Sequence, residues 1–173
     1  MRTAALILLL TLVAACSGVP VTPLAGAARE GNTEQIRALV AKGANVNEPS
    51  GVNDWTPLEH AVHKNQIGSV QSLLDAGADP NAASPGGTTP LIMAAGYGYT
   101  PIVELLLHRG SNPRLTDRNG HNALDAAISG TGDIDRFTLL DCQKPTVDAL
   151  HRAAPDLSPR GKTQMVEWEK RCG

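Results

Sequence analysis

Two short apolar patterns of helical spacing alternate along most of the chain. In the first, Leu58 and Ala61, and again Leu91 and Ala94, stand three apart and share one helix face. The second carries leucine-rich doublets: Ile36 with Leu39-Val40, Val70 with Leu73-Leu74, and Ile102-Val103 with Leu105-Leu106-Leu107. Each second pattern ends at a glycine, Gly43, Gly77 or Gly110, where a left-handed helix terminus favours that residue. Turn formers follow at Asn45-Val46-Asn47, Asp79-Pro80-Asn81 and Asn112-Pro113. The pattern predicts pairs of short helices separated by polar turns.

These pairs recur with a fixed period. Thr-Pro-Leu begins at Thr22, Thr56 and Thr89, and a worn version, Asn-Ala-Leu, begins at Asn122, at spacings of 34, 33 and 33 residues. The threonine can cap the helix, and a proline in its first turn forfeits no hydrogen bond. The leucine doublet recurs in step at Leu39, Leu73, Leu106 and Leu139. Two independent marks with one period predict a stacked repeat array. The small pairs Ala27-Ala28 and Ala94-Ala95 let neighbouring helices approach closely.

These residues resemble ankyrin repeats. Thr-Pro-Leu-x-x-Ala-Ala, then Ile-Val-x-Leu-Leu-Leu, then Gly-Ala-Asp-x-Asn is that family's pattern, and it covers about residues 22–140. The resemblance implies an all-α solenoid of about four helix–turn–helix units, joined by β-hairpin-like fingers, with a concave binding side. The chain departs from the family at the fourth motif position. The usual histidine is replaced by Ala25, Glu59, Ile92 and Asp125, which removes a side chain that helps fix the first helix. The first finger, Glu48 to Trp55, is one residue longer than its equivalents, and the last unit loosens at Gly130-Thr131-Gly132.

The N-terminus has a different character. Arg2 precedes an apolar run from Ala4 to Ala15, broken only by Thr11. About twelve residues is too short to span the ~30 Å hydrocarbon core, and suits the apolar region of a signal peptide. Val13-Ala14-Ala15-Cys16 resembles the bacterial lipobox, which implies cleavage after residue 15 and acylation of Cys16. Ser17, where inner-membrane retention often uses Asp, implies sorting to the outer membrane, facing the periplasm. Residues 16–21 then form a short tether, whose five residues after Cys16 reach at most roughly 18 Å.

After Leu140 the period stops. Pro145, Pro155 and Pro159 divide residues 141–173, and Thr146 to Ala154 and Pro159 to Arg171 each read as a short helix. Met165, Trp168 and Cys172 share one face of the second. The segment reads as a helical cap, because terminal units of a solenoid need a polar outer face. With Cys16 acylated, Cys142 and Cys172 remain. An oxidising periplasm favours a bridge between them, and two free thiols are the alternative.

Composition narrows the chemistry. The chain has 173 residues, a formal net charge of −2 and no basic run, which argues against nucleic acid and anionic membrane surfaces as partners. No phosphate loop, nucleophile elbow or paired-carboxylate spacing stands out, so neither a cofactor, a small-molecule substrate nor catalysis is expected. His60 and His63, with Glu59, form at most a partial metal set, and an ordinary polar helix surface is the preferred reading. In ankyrin arrays, partner contacts come from finger tips and first helices. Carried over, those positions are Trp55, Thr88, Arg118 and His121 on fingers. On first helices they are Arg29, Glu30, His63, Lys64, Gly96, Tyr97 and Ser129. The core of this set is Trp55, His63, Lys64, Thr88, Tyr97, Arg118 and His121. It mixes aromatic and basic side chains and suits a protein partner with an acidic or polar face; Trp55 could instead pack on its own long finger.

The expected molecule is therefore a lipid-anchored interaction protein of the bacterial envelope, serving as an immunity protein or an enzyme accessory. A structural envelope lipoprotein without a dedicated partner, and a metal-dependent enzyme, are the alternatives.

Overall fold

The computed structural model describes residues 20–129, 142–155 and 158–172. Among them the chain is all-α. The helices are α1 (Pro23–Glu30), α2 (Thr33–Ala41), α3 (Pro57–His63), α4 (Ile67–Asp75), α5 (Pro90–Gly96), α6 (Thr100–His108), α7 (Ala123–Ser129), α8 (Lys144–Ala153) and α9 (Pro159–Cys172). None of these helices is long and apolar enough to cross a membrane.

Two layers result. First helices stack on one another, α1 on α3, α3 on α5, α5 on α7 and α7 on α9. Second helices form the other layer, α2 on α4, α4 on α6 and α6 on α8. Between the layers lies one continuous apolar core. Leu58, Leu91, Ile102, Leu106 and Leu124 are fully buried in it, each worth about 1.5–3 kcal/mol relative to exposure.

The capping predicted from sequence is present. The hydroxyls of Thr22, Thr56 and Thr89 accept from the amides of Ala25, Glu59 and Ile92 at 3.3, 3.2 and 3.2 Å. Gly43, Gly77 and Gly110 follow the second helices with φ of +88°. The turn residues also tie units together. The Asn47 side-chain oxygen accepts the Asp79 amide at 2.9 Å, and the Asn81 oxygen accepts the Asn112 amide at 2.7 Å.

Glu59 and Asp125, which stand where the family usually has histidine, have taken over the fixing of their helices. Glu59 accepts the Thr56 amide at 2.8 Å and its hydroxyl at 3.0 Å, completing a capping box. In the last unit the Asn122 amide donates to the Asp125 carboxylate at 3.1 Å, and the Asp125 amide donates to the Asn122 side-chain oxygen at 3.0 Å. Both carboxyl-bearing residues are fully buried. Burial pushes the Glu59 carboxyl above its ordinary value, against the lowering effect of its bonds to Thr56.

The pH consequence follows. The folded state holds the Glu59 proton to higher pH than the unfolded state, so this residue's contribution to stability falls as pH rises from 4.5 through the folded value. Glu59→Gln removes that dependence. In urea unfolding, the stability of Glu59→Gln minus that of wild type should increase as pH rises above 4.5. A difference that stays flat with pH would contradict the assignment. His60 acts in the opposite sense. Burial lowers its proton affinity, so its contribution is complete above 6.5 and is lost as pH falls below that value.

The last unit is described in part. Leu139 and the Gly130-Thr131-Gly132 stretch lie outside the described residues. By its contacts with α6 and α7, α8 sits where a second helix sits in every other unit. Its Val147 and Leu150 are buried as Val103 and Leu106 are, and Thr146 bonds Thr100 across the stack at 2.6 Å. α8, in the segment read from sequence as the cap, thus packs as a second helix does, and α9 packs on α7 beyond it. The Lys144-Pro145-Thr146-Val147 start of α8 lies 44 residues beyond Thr100-Pro101-Ile102-Val103 rather than 33.

A disulfide joins Cys142 to Cys172, with 5.6 Å between their Cα atoms. The Trp168 indole donates to the Cys142 carbonyl at 2.9 Å. The disulfide and the indole bond of α9 therefore converge on Cys142.

A candidate interaction groove

Three fingers project beside the first-helix layer. The first closes through reciprocal backbone bonds between Ser50 and Trp55, at 2.9 and 3.2 Å. The second closes from Ser84 to Thr88 at 3.0 Å, and the third from Asp117 to His121 at 2.9 Å. The first spans one residue more than the others, as the sequence predicts. The second and third stack directly: the Arg118 amide donates to the Gly86 carbonyl at 3.0 Å. Gly87, at φ +79°, permits this, because a Cβ there would come within 3.1 Å of the Arg118 backbone.

The long first finger is pinned from below. His60 is 6% exposed, and its Nε2 lies 3.2 Å from the Ser50 carbonyl oxygen. His60 is thus a buried anchor rather than a polar surface residue, which corrects the sequence reading. The extra finger residue carries Trp55 back over α3, where its ring meets His60 at 5.6 Å and His63 at 4.9 Å between centroids. His63 Nδ1 lies 3.1 Å from the Tyr97 hydroxyl. Tyr97 then stacks on Tyr99 at 5.4 Å. The result is a continuous strip of ring contacts across units two and three, each pair contributing about 0.5–1.5 kcal/mol. Trp55 is half-buried, packed on His60 and His63 of its own unit, which is the second of the two sequence readings.

Beside this strip lies a groove of about 380 Å³. Trp55 and Tyr97 form one wall, and Ile92, Met93 and Ala126 the floor. Thr88, Ser84, Asp117 and His121 supply the finger side, and Ser129 and Gln164 close the end. Ser129 donates to Gln164 at 2.9 Å. Burial raises the Asp117 carboxyl, but amide bonds from His121 and Asn119, the Asn119 side chain and the nearby His121 ring outweigh it and hold the group below its ordinary value. Asp117 is therefore an anion at neutral pH.

Of the seven core contact residues predicted from sequence, Trp55, Thr88, Tyr97 and His121 line this groove. His63 stands behind the wall. Lys64 lies apart, in a recess with Arg29 and Glu30 on units one and two. Arg118 is exposed at its finger and does not line the groove. Gly96, assigned as an exposed helix position, is buried. Cys16 is outside the described residues. Glu59, His60 and His63 are committed to different partners, and among the described residues no three His, Cys, Asp or Glu side chains group to hold a metal.

Models of ankyrin repeats match residues 73–127 (many copies) and 5–84 (three copies). The chain is an ankyrin-repeat protein. Similar curated proteins include an ankyrin repeat-containing protein of Treponema pallidum, 37% identical over 106 residues. The ankyrin repeat and KH domain-containing protein mask-1 of Caenorhabditis elegans is 32% identical over 156 residues. Mouse ankyrin repeat and SOCS box protein 16 is 32% identical over 121 residues. The alignments cover 61%, 88% and 65% of this chain, but only 35%, 6% and 26% of those proteins. Ankyrin repeats are a protein–protein interaction fold rather than a catalytic one.

Within that fold, sequence reasoning missed Ile92, Met93, Asp117 and Gln164 as groove residues. Asp117 could have been found, since an Asp-x-Asn-Gly turn aims its carboxylate at its own finger amides and fixes it beside His121. Gln164 carried no such signal, because its position depends on how α9 docks.

Proposed function

We propose that this ankyrin-repeat protein is a lipid-anchored interaction module of the bacterial envelope that binds a protein partner through the groove. The observation that carries the binding half is the convergence of Trp55, Thr88, Tyr97 and His121, from three fingers and a first helix, on one cavity. Aromatic side chains are favoured binding anchors, and here two of them border an apolar floor. The anchoring half rests on Val13-Ala14-Ala15-Cys16 and its likeness to a lipobox. The Cys142–Cys172 disulfide supports it, since such bonds persist in oxidising compartments. In this reading the array faces the periplasm from the outer membrane. Two or three acyl chains on Cys16 hold it there stably. The bound partner is an incoming toxin or hydrolase to be neutralised, or an envelope enzyme to be held.

Membrane fractionation tests the anchor. Wild-type chain expressed in a Gram-negative host should sediment with membranes and carry an acylated Cys16 by mass spectrometry. Cys16→Ser should become soluble with unchanged helix content. Membrane retention of Cys16→Ser would overturn the anchoring half and leave the groove untouched.

A further inference from the structure

The sequence suggests a basic, aromatic contact patch suited to a partner with an acidic or polar face. The geometry separates those charges. Lys64 lines a different recess, Arg118 is exposed and does not line the cavity, and His63 is engaged with Tyr97. Among the described residues, the groove lining holds one carboxylate and one imidazole, with no lysine or arginine.

We infer that the groove takes a basic side chain, arginine above lysine, projecting from the partner protein. This rests on the groove being the partner-binding surface. The chemistry matches along the length of such a side chain. Its apolar stem lies on Ile92, Met93 and Ala126. Its cationic head passes the Trp55 and Tyr97 rings, whose faces attract cations, and reaches Asp117. Asp117 Oδ1 is occupied by the amides of Asn119 and His121, at 2.8 and 2.9 Å. Oδ2 has looser neighbours, Asn119 Nδ2 at 3.3 Å and His121 Nδ1 at 3.7 Å, and keeps capacity for a further donor. A planar guanidinium can meet the carboxylate and a ring at once, which favours arginine.

The test is selection from a random twelve-residue peptide library against the disulfide-bonded chain, followed by titration of the enriched peptides. Enriched sequences should carry Arg or Lys beside an apolar residue. Asp117→Asn keeps the Oδ1 acceptor for the finger amides and should weaken these peptides at least tenfold. Ser129→Lys, at an exposed rim position, should do the same by placing a competing cation in the groove. Unchanged melting temperatures would show that both variants fold. Enrichment of acidic peptides, or affinity within twofold in Asp117→Asn, would overturn the inference. If Trp55→Ala abolishes binding while Asp117→Asn does not, the groove reading survives and the basic anchor fails. If Trp55→Ala also leaves binding unchanged, the groove reading fails with it.

Discussion

Trp55→Ala and Tyr97→Ala should each weaken partner binding by about tenfold to a hundredfold, the range of an interface hot spot. Both side chains border the groove and both are half-buried, so each offers area without needing to be ordered on binding. Trp55 is already held by its backbone bonds to Ser50 and by the His60 and His63 rings. Tyr97 is held by His63 and Tyr99. A preorganised anchor contributes more affinity than a mobile one of equal area. The array should survive either change, because the buried core of Leu58, Leu91, Ile102 and Leu106 is untouched. Calorimetric titration with groove-selected peptides, alongside thermal unfolding, separates affinity from stability. Tyr97→Phe, which loses only the hydroxyl facing His63, should bind nearly as wild type. Full affinity in both alanine variants would remove the aromatic wall from the interface.

The second large effect concerns the cap. Replacing Cys142 and Cys172 by serine should destabilise the folded chain by about 3–4 kcal/mol, as expected for a bridge between residues 30 apart. The loss should be local as well as global. Besides the bridge, α9 is held by the indole bond of Trp168 to Cys142 and by its packing on α7. Hydrogen exchange should therefore speed up first in residues 158–172, while α3 to α6 keep their protection. Since Gln164 closes the end of the groove, binding should weaken too. Equal exchange in the oxidised protein and the double-serine variant would show that α9 docks without the staple.

The solenoid was legible in the sequence because its signals are local and repeated. Thr-Pro-Leu sets a cap and a first turn, the doublets set a buried face, and glycine ends each second helix. Each works within a few residues and is then copied. The C-terminal end was less legible for the same reason. α8, at Lys144–Ala153, packs on α6 and α7 as a second helix does, but it lies off the fixed period. The groove was half legible. The finger and first-helix positions that the ankyrin resemblance implies include Trp55, Thr88, Tyr97 and His121, which line it. Register could not say that Lys64 and Arg118 do not line the groove, or that Asp117 supplies the charge. Those depend on which way each side chain leaves a turn. His60 was misjudged because a polar residue on a short helix reads as surface unless the finger above it is known to fold back.

Site-specific photo-crosslinking tests the central claim most directly. A benzophenone amino acid placed at Ser129, on the groove rim, is compared in cells with one at Gln71, on the second-helix side between α2 and α4. The groove reading predicts a discrete protein adduct from position 129, lost when Trp55→Ala is added, and none from position 71. An adduct from position 71 with none from position 129 would contradict it.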